Sequence, residues 1–245
     1  MSIIIRTAKR CWISFWAAFA TVVVFLPIVI SSLVSSTGNF AFVLSQLWAW
    51  IILKTTWVRV TVRGKENIMP GVSYIIISNH QSDYDALALA LKLSIQFRWI
   101  AKKELRKIPL FGYALYAARN IMIDRSNRES AMASIRAGVN RLPPATSVLF
   151  FAEGTRSPDG AIHPFKKGGF ITAIETGMPI LPVTVNGSRR IMPKRSLVFY
   201  PGTVELVIGT PIETKEYTLE HLEDLIAKTR DTIIDNFNPN YPEGG

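Results

Sequence analysis

From Cys11 through Leu53 the chain carries no Lys, Arg, Asp or Glu, a run of 43 residues without a formal charge. No other feature restricts the fold as much. A bilayer span needs about 20 predominantly apolar residues to cross roughly 30 Å of hydrocarbon. CWISFWAAFATVVVFLPIVISSLV, residues 11 to 34, meets that requirement, and FAFVLSQLWAWIIL, residues 40 to 53, follows after SSTGN. The second block is short for a span, because about 14 residues at about 1.5 Å each reach only about 21 Å. Pro27 is expected to interrupt the first block, since proline lacks the donor that an interior helical turn uses. The stretch therefore reads either as a hairpin of two spans or as a helical pair lying in one leaflet. A cleaved signal peptide and a buried core pair are the alternatives. Trp12, Trp16, Trp48 and Trp50 near the outer ends favour interfacial anchoring. Arg6, Lys9 and Arg10 precede the pair and Lys54, Arg59 and Arg63 follow it. Both ends thus return to one side, which the positive-inside bias makes cytoplasmic.

Residues 1–54 are accordingly expected to be a membrane-anchoring helical segment and 55–245 a single domain. The 245 residues carry 28 Lys and Arg against 18 Asp and Glu, a formal charge of +10. Such a balance attracts anionic headgroups. The basic residues are dispersed and no nucleic-acid motif occurs, so no nucleic-acid partner is expected. One cysteine, Cys11, excludes an internal disulfide and any four-cysteine metal site, and three histidines make no local zinc cluster. No metal site is expected.

Beyond residue 55, short apolar runs alternate with helical patterns. WVRVTVRG (57–64) alternates like an edge strand; YIIISN (74–79), FRWIAK (97–102), SVLFFAEG (147–154, ending in Gly154), MPILPVTVNG and VELVIG read as further strands, and ARNIMIDR (118–125) contains another. ALALALKL, the Met132–Leu142 periodicity, FKKGGFITAIETG (165–177, closed by Gly177) and the Leu219–Ile233 stripe read as helices, and Pro109 to Tyr116 as helix plus turn. This order predicts an α/β fold, a mostly parallel or mixed sheet flanked by helices, behind a hydrophobic two-helix N-terminal segment.

Chemistry-bearing residues gather just past predicted strands, where ligands bind in α/β sheets. NHQSDYD (79–85) places His80 directly after a buried strand and Asp85 five residues on, at a helix start. A turn there brings the carboxylate to the imidazole, fixing its tautomer and leaving the other nitrogen as a base. Asp83 is a rival partner or the helix cap, Ser82 another cap, and Asn79 a loop-satisfying residue. No GxSxG elbow occurs and Cys11 lies in the apolar stretch, so the base must act on a hydroxyl or a water directly. FFAEGTRSPDG (150–160) sets Glu153 and Arg156 around Gly154. Arg156 offers a planar donor set suited to phosphate; the plainer reading is an Arg–Glu pair that braces the loop. Asp124 and Arg125 end one predicted strand and Lys102 and Lys103 another, so several cations are expected to share one anionic pocket. His163, in a loop, and His221, in a polar helical stretch, read as structural or exposed.

NHQSDYD, KKELRKIPLFGYAL, NIMIDR, FAEGTRS and MPILPVTVNG, in this order, resemble the sequence blocks of the glycerolipid acyltransferases whose best-known members acylate 1-acylglycerol 3-phosphate. The resemblance covers roughly residues 55 to 215. Ala152 stands where many members have proline. It implies that His80 takes the proton of a lysophospholipid 2-hydroxyl, oriented by Asp85, and that the oxygen attacks an acyl thioester without an acyl-enzyme. It further implies that Arg125 and Arg156 hold the acceptor phosphate, with Lys102 and Lys103 assisting. Asn79, Ser82, Asp124, Glu153, Gly154 and Thr155 are supporting residues. The implied substrates are lysophosphatidic acid and acyl-CoA or acyl-ACP, with no bound cofactor. The implied surroundings are a phospholipid bilayer and an acyl carrier protein. Glycerol 3-phosphate or another lysophospholipid as acceptor, a membrane-anchored hydrolase and a lipid-binding scaffold are the rival functions.

Overall fold

A computed structural model describes residues 2–124 and 126–241. The chain order is α1 (Ile3–Val34), α2 (Asn39–Thr55), β1 (Val58–Arg63), β2 (Ile75–Ser78), α3 (Tyr84–Lys92), β3 (Phe97–Lys102), α4 (Phe111–Ala117), β4 (Ile121–Ile123), α5 (Arg128–Val139), β5 (Ser147–Phe151), α6 (Gly168–Thr176), β6 (Ile180–Asn186), α7 (Ser188–Ile191), β7 (Gly202–Ile208) and α8 (Leu222–Asp235). The strands form one sheet in the order β1-β7-β6-β2-β5-β3-β4. From β6 to β4 every pairing is parallel; β7 pairs antiparallel with β6 and parallel with β1. The expected mixed α/β sheet is therefore present.

The pattern of each strand matches its place. β2 and β6 are buried along their whole length and sit inside the sheet, whereas β1 alternates between buried and exposed positions at the edge. Pro182 lies inside β6, yet the antiparallel ladder to β7 begins only at Val183, one residue later. Its missing donor thus falls beside that ladder rather than within it. Alternation splits the core between the two faces. Ile76 and Leu149 join α2 and α3 on one side. Ile75, Ile77, Val148 and Phe150 join α5, α6 and α8 on the other.

Two features of the N-terminal helices were not legible in the sequence. Pro27 does not interrupt α1, which is continuous for 32 residues, about 48 Å at about 1.5 Å per residue. Val24 and Ile28, on either side of the proline, pack on Ala41 of α2 and on Ala114, Ala117 and Ala118 beside α4, so the turn is held from outside. Second, α2 does not stand apart from residues 55–245. Phe42, Ala49, Ile52 and Leu53 belong to the same buried cluster as α3 and the sheet. Arg98, fully buried in β3, ties the α1–α2 connection down by donating to Thr37 O and Asn39 Oδ1, both at 2.7 Å. Burial lowers its pKa to about 10. Helix α1 is long and apolar enough to cross a membrane, and most of its surface is open.

Candidate active site

Because β2, β3, β4 and β5 are mutually parallel, Ser78, Lys102, Ile123 and Phe151 end on one edge of the sheet. NHQSDYD, the Lys102–Lys103 pair, Asp124 and AEGTRS all start there.

Asp85 lies in the first turn of α3, which carries its carboxylate back over the loop that precedes it. His80 Nδ1 and Asp85 Oδ2 are 2.8 Å apart, and Asp85 is fully buried. The same oxygen accepts from Gln81 N at 2.6 Å and from Ser82 N at 2.9 Å. Three donors on one oxygen fix the carboxylate, and the carboxylate fixes the ring. With Nδ1 engaged, Nε2 is the nitrogen left for chemistry, and it has no hydrogen-bond partner among the described residues. The ring is backed by Phe151, with centroids 3.7 Å apart and planes 8° apart. Asn79 extends the β2 edge by bonding both backbone groups of Val185, at 3.0 and 2.8 Å. Ser82 Oγ donates to Met192 O at 2.7 Å and accepts from Tyr84 N at 3.2 Å, which caps the start of α3. Asp83 is not the imidazole's partner; it pairs with Arg156.

The β5 loop closes over this pair. Gly154 has φ +73°, a conformation that glycine adopts without strain, and it turns the chain after Glu153. The sequence left Glu153 as a brace for Arg156, but its carboxylate is engaged elsewhere. Oε1 accepts from His80 N at 2.9 Å and Oε2 from His163 N at 3.1 Å. Burial pushes the Glu153 carboxyl pKa up, and these two donors partly oppose the rise. Ser157 N donates to His80 O at 2.7 Å, so the backbone of His80 is fastened to this loop at both its N–H and its carbonyl. The Arg–Glu brace is thus replaced by an Arg156–Asp83 ion pair, while Lys194 Nζ holds Arg156 O at 2.5 Å. Thr155 is exposed on the same turn.

At the ends of β3 and β4, Lys103 pairs with Asp124, whose other oxygen accepts from Ser126 N and Oγ at 2.9 and 2.6 Å. Lys103 first and Ser126 second hold the Asp124 carboxyl well below the usual range, and the same pair raises the Lys103 pKa. Lys102 is exposed and makes no ion pair among the described residues. Arg125, expected to hold phosphate, lies outside the described residues. Among the described residues the imidazoles of His163 and His221 bond only locally, to Asp159 at 2.9 Å and Thr218 at 3.1 Å.

Beside the loop is a cavity of about 670 Å³, walled mainly by apolar residues such as Ile77, Ile100, Ile123, Met132 and Phe150, with Glu153 and the cations Arg128, Lys166 and Lys167 also in its lining. The sequence reading assigned no role to Phe151. Strand alternation was the available signal: of two adjacent phenylalanines at the end of β5, Phe150 packs on one face and Phe151 turns to the other, toward His80.

The His-x4-Asp pair and the Glu-Gly-x-Arg loop meet on this parallel strand edge, and the chain belongs to the acyltransferase family, whose model matches residues 59–186. Among particular proteins, it is 31% identical over 202 residues to a chloroplastic 1-acyl-sn-glycerol-3-phosphate acyltransferase of Brassica napus, covering 82% of this chain and 57% of that protein. It is 36% identical over 161 residues to the 1-acyl-sn-glycerol-3-phosphate acyltransferase of Pseudomonas aeruginosa, covering 65% and 62% respectively. The chain thus spans less than two thirds of the length of either relative. The crystal structure of the 1-acyl-sn-glycerophosphate (LPA) acyltransferase PlsC from Thermotoga maritima matches with a TM-score of 0.81 at 26% identity, over 96% of both chains.

Proposed function

We propose that this protein transfers a fatty acyl group from a thioester to the 2-hydroxyl of 1-acyl-sn-glycerol 3-phosphate, producing phosphatidic acid. The observation that carries the reading is the 2.8 Å contact between His80 Nδ1 and a buried Asp85 beside the Glu153–Arg156 loop. His80 Nε2 removes the hydroxyl proton as that oxygen attacks the thioester carbonyl, and Asp85 stabilises the imidazolium that forms. The tetrahedral intermediate collapses to the ester. The C–S bond breaks, and the departing sulfur receives the proton from His80.

Arg156 and Arg125 bind the acceptor phosphate, with Lys102 and Lys103 nearby. Asn79, Ser82, Glu153, Gly154 and Thr155 shape the two loops, and Asp124 holds Lys103. The apolar cavity receives the acyl chain of the donor, acyl-CoA or acyl-ACP. Residues 1–54 attach the enzyme to a bilayer with the catalytic edge on the cytoplasmic side. The packing of α2 on α3 supports single-leaflet insertion over two separate spans, because one flank of α2 is covered by the body.

An acceptor panel tests this. Purified protein is offered lysophosphatidic acid, glycerol 3-phosphate and lysophosphatidylcholine with a labelled oleoyl thioester, and products are weighed by mass spectrometry. Phosphatidic acid should form fastest. Faster acylation of glycerol 3-phosphate, or release of free fatty acid alone, overturns the assignment.

A further inference from the structure

The segment that connects β3 to α4, with α4 itself, forms an apolar and basic surface that the proposed chemistry does not use. Residues 106 to 110 are all exposed. Ile108, Leu110, Tyr113 and Tyr116 are 45%, 39%, 48% and 44% exposed, and the last three are spaced three apart on one flank of α4. Two local features set this display. Leu110 has φ +59°, unusual for a branched side chain, at the position just before α4. Gly112 presses against the preceding turn so closely that a Cβ would lie 2.4 Å from Arg106 O, which keeps the Arg106–Leu110 bend tight against the helix.

The flank is continuous with α1. The rings of Phe25 and Tyr113 meet edge to face at 6.0 Å, and Ala114 and Ala117 pack on Val24 and Ile28. The open α1 residues Val22, Leu26, Ile30 and Leu33 continue the apolar surface. Cations accompany it. Arg106 lies over the Tyr116 ring at 4.3 Å, and neither it nor Lys107 or Arg119 has a carboxylate partner among the described residues. Aliphatic side chains flanked by tyrosines and unpaired cations are the composition of a bilayer interface with anionic headgroups.

The geometry points to a second membrane contact: Ile108, Leu110, Tyr113 and Tyr116 enter the acyl boundary of an anionic leaflet, with Arg106, Lys107 and Arg119 among its phosphates. This rests on the reading that α1 faces a bilayer. It adds that the sheet edge itself is drawn down, since β3 leads straight into this segment and Ile100 of β3 lines the apolar cavity. The catalytic edge is then held at the surface by α4 as well as by α1–α2.

Depth-resolved quenching tests this on the full chain, with Cys11→Ser removing the native thiol. An environment-sensitive dye is placed on Leu110→Cys, on Leu26→Cys in α1, or on Glu220→Cys just before α8, which packs on the sheet face opposite α2 and α3, as an aqueous control. Vesicles are phosphatidylcholine with or without phosphatidylglycerol, containing acyl-brominated lipid. Quenching at positions 110 and 26 but not 220, deeper at 110 when phosphatidylglycerol is present, supports the contact. Quenching at 26 alone overturns it and leaves the α1 anchor standing, whereas no quenching at either position defeats both. As a second measurement, Ile108→Glu with Leu110→Asp should leave turnover of detergent-dispersed substrate unchanged and lower turnover on vesicles about tenfold or more, from lost apolar burial. Unchanged turnover in detergent is the control that the turn at residue 110, with φ +59° and ψ −56°, is retained. Equal turnover in both media would overturn the proposal.

Discussion

The imidazole and the guanidinium of this site are held in opposite ways. His80 is fastened at its ring, its N–H and its carbonyl, by a buried carboxylate and by the β5 loop, and it is stacked on Phe151. Arg156 and Lys103 sit on the rim, each paired with a single partly exposed carboxylate, Asp83 and Asp124. Buried hydrogen-bonded charge is expensive to disturb, while an exposed ion pair is worth little and exchanges with solvent. The centre is therefore preorganised, and in the proposed function the acceptor phosphate displaces the present partners of the rim cations. If that contrast is right, changes at the centre reduce turnover and changes at the rim alter acceptor affinity.

The largest effect is expected at His80. His80→Ala removes the base and should reduce kcat by about 10³-fold or more, within the range usual for general-base loss. Attachment to vesicles should be unchanged, because the ring contributes nothing to α1 or α2. Near-normal turnover by a folded variant, measured by labelled-thioester transfer, would remove the mechanism.

Next comes the rim. Arg156→Ala should raise acceptor KM by about 10- to 100-fold, the worth of about 1.5–3 kcal/mol for charge-assisted hydrogen bonds, with a smaller change in kcat. Asp83→Asn sharpens the contrast, since it removes the competitor for the guanidinium and should lower acceptor KM. A raised KM in Asp83→Asn would mean that Asp83 positions Arg156 rather than occupying it, and the rim would then be as fixed as the centre.

Phe151 belongs to the centre but makes no polar contact. A ring pair contributes about 0.5–1.5 kcal/mol beyond simple burial. Phe151→Ala should therefore lower kcat by about 3- to 10-fold and leave acceptor KM nearly unchanged, and Phe151→Tyr should restore most of the loss. An effect confined to KM would place Phe151 with the rim.

The sequence displayed the centre more fully than the rim, for a physical reason. Local spacing decides whether Asp85 can reach His80, because both lie on one strand–turn–helix, and that spacing is visible in seven letters. The partner of Glu153 depends on how β5 sits beside β2, so the carboxylate that looked like a brace for Arg156 proved to hold the backbone of His80 and His163. Pro27 misled in the same way: the local rule says break, and the helix continues because α2 and α4 pack against it. Strand order, the antiparallel β7 and the burial of one flank of α2 likewise arise from long-range pairing that periodicity does not encode. Alternation did mark β1 as an edge strand and the unbroken apolar run of β2 as an inner one, but not β4, the other edge.

The smallest expected effect tests whether the Lys103–Asp124 pair is as loose as its exposure suggests. The Asp124 carboxyl is held below its ordinary range in the folded chain. A depressed folded-state pKa contributes stability above the unfolded value, about 3.9 for aspartate, and that contribution disappears as pH falls through the folded value. Asp124→Asn should therefore lower the thermal midpoint slightly at pH 7, by no more than about 2 °C, and not at all at the acid end. The difference should also shrink in salt, since screening acts on exposed pairs. A larger loss at pH 7 that persists in high salt would show the β3–β4 rim to be a rigid structural clamp. Lys103 would then be committed to Asp124, and the acceptor phosphate would have to find its cations elsewhere.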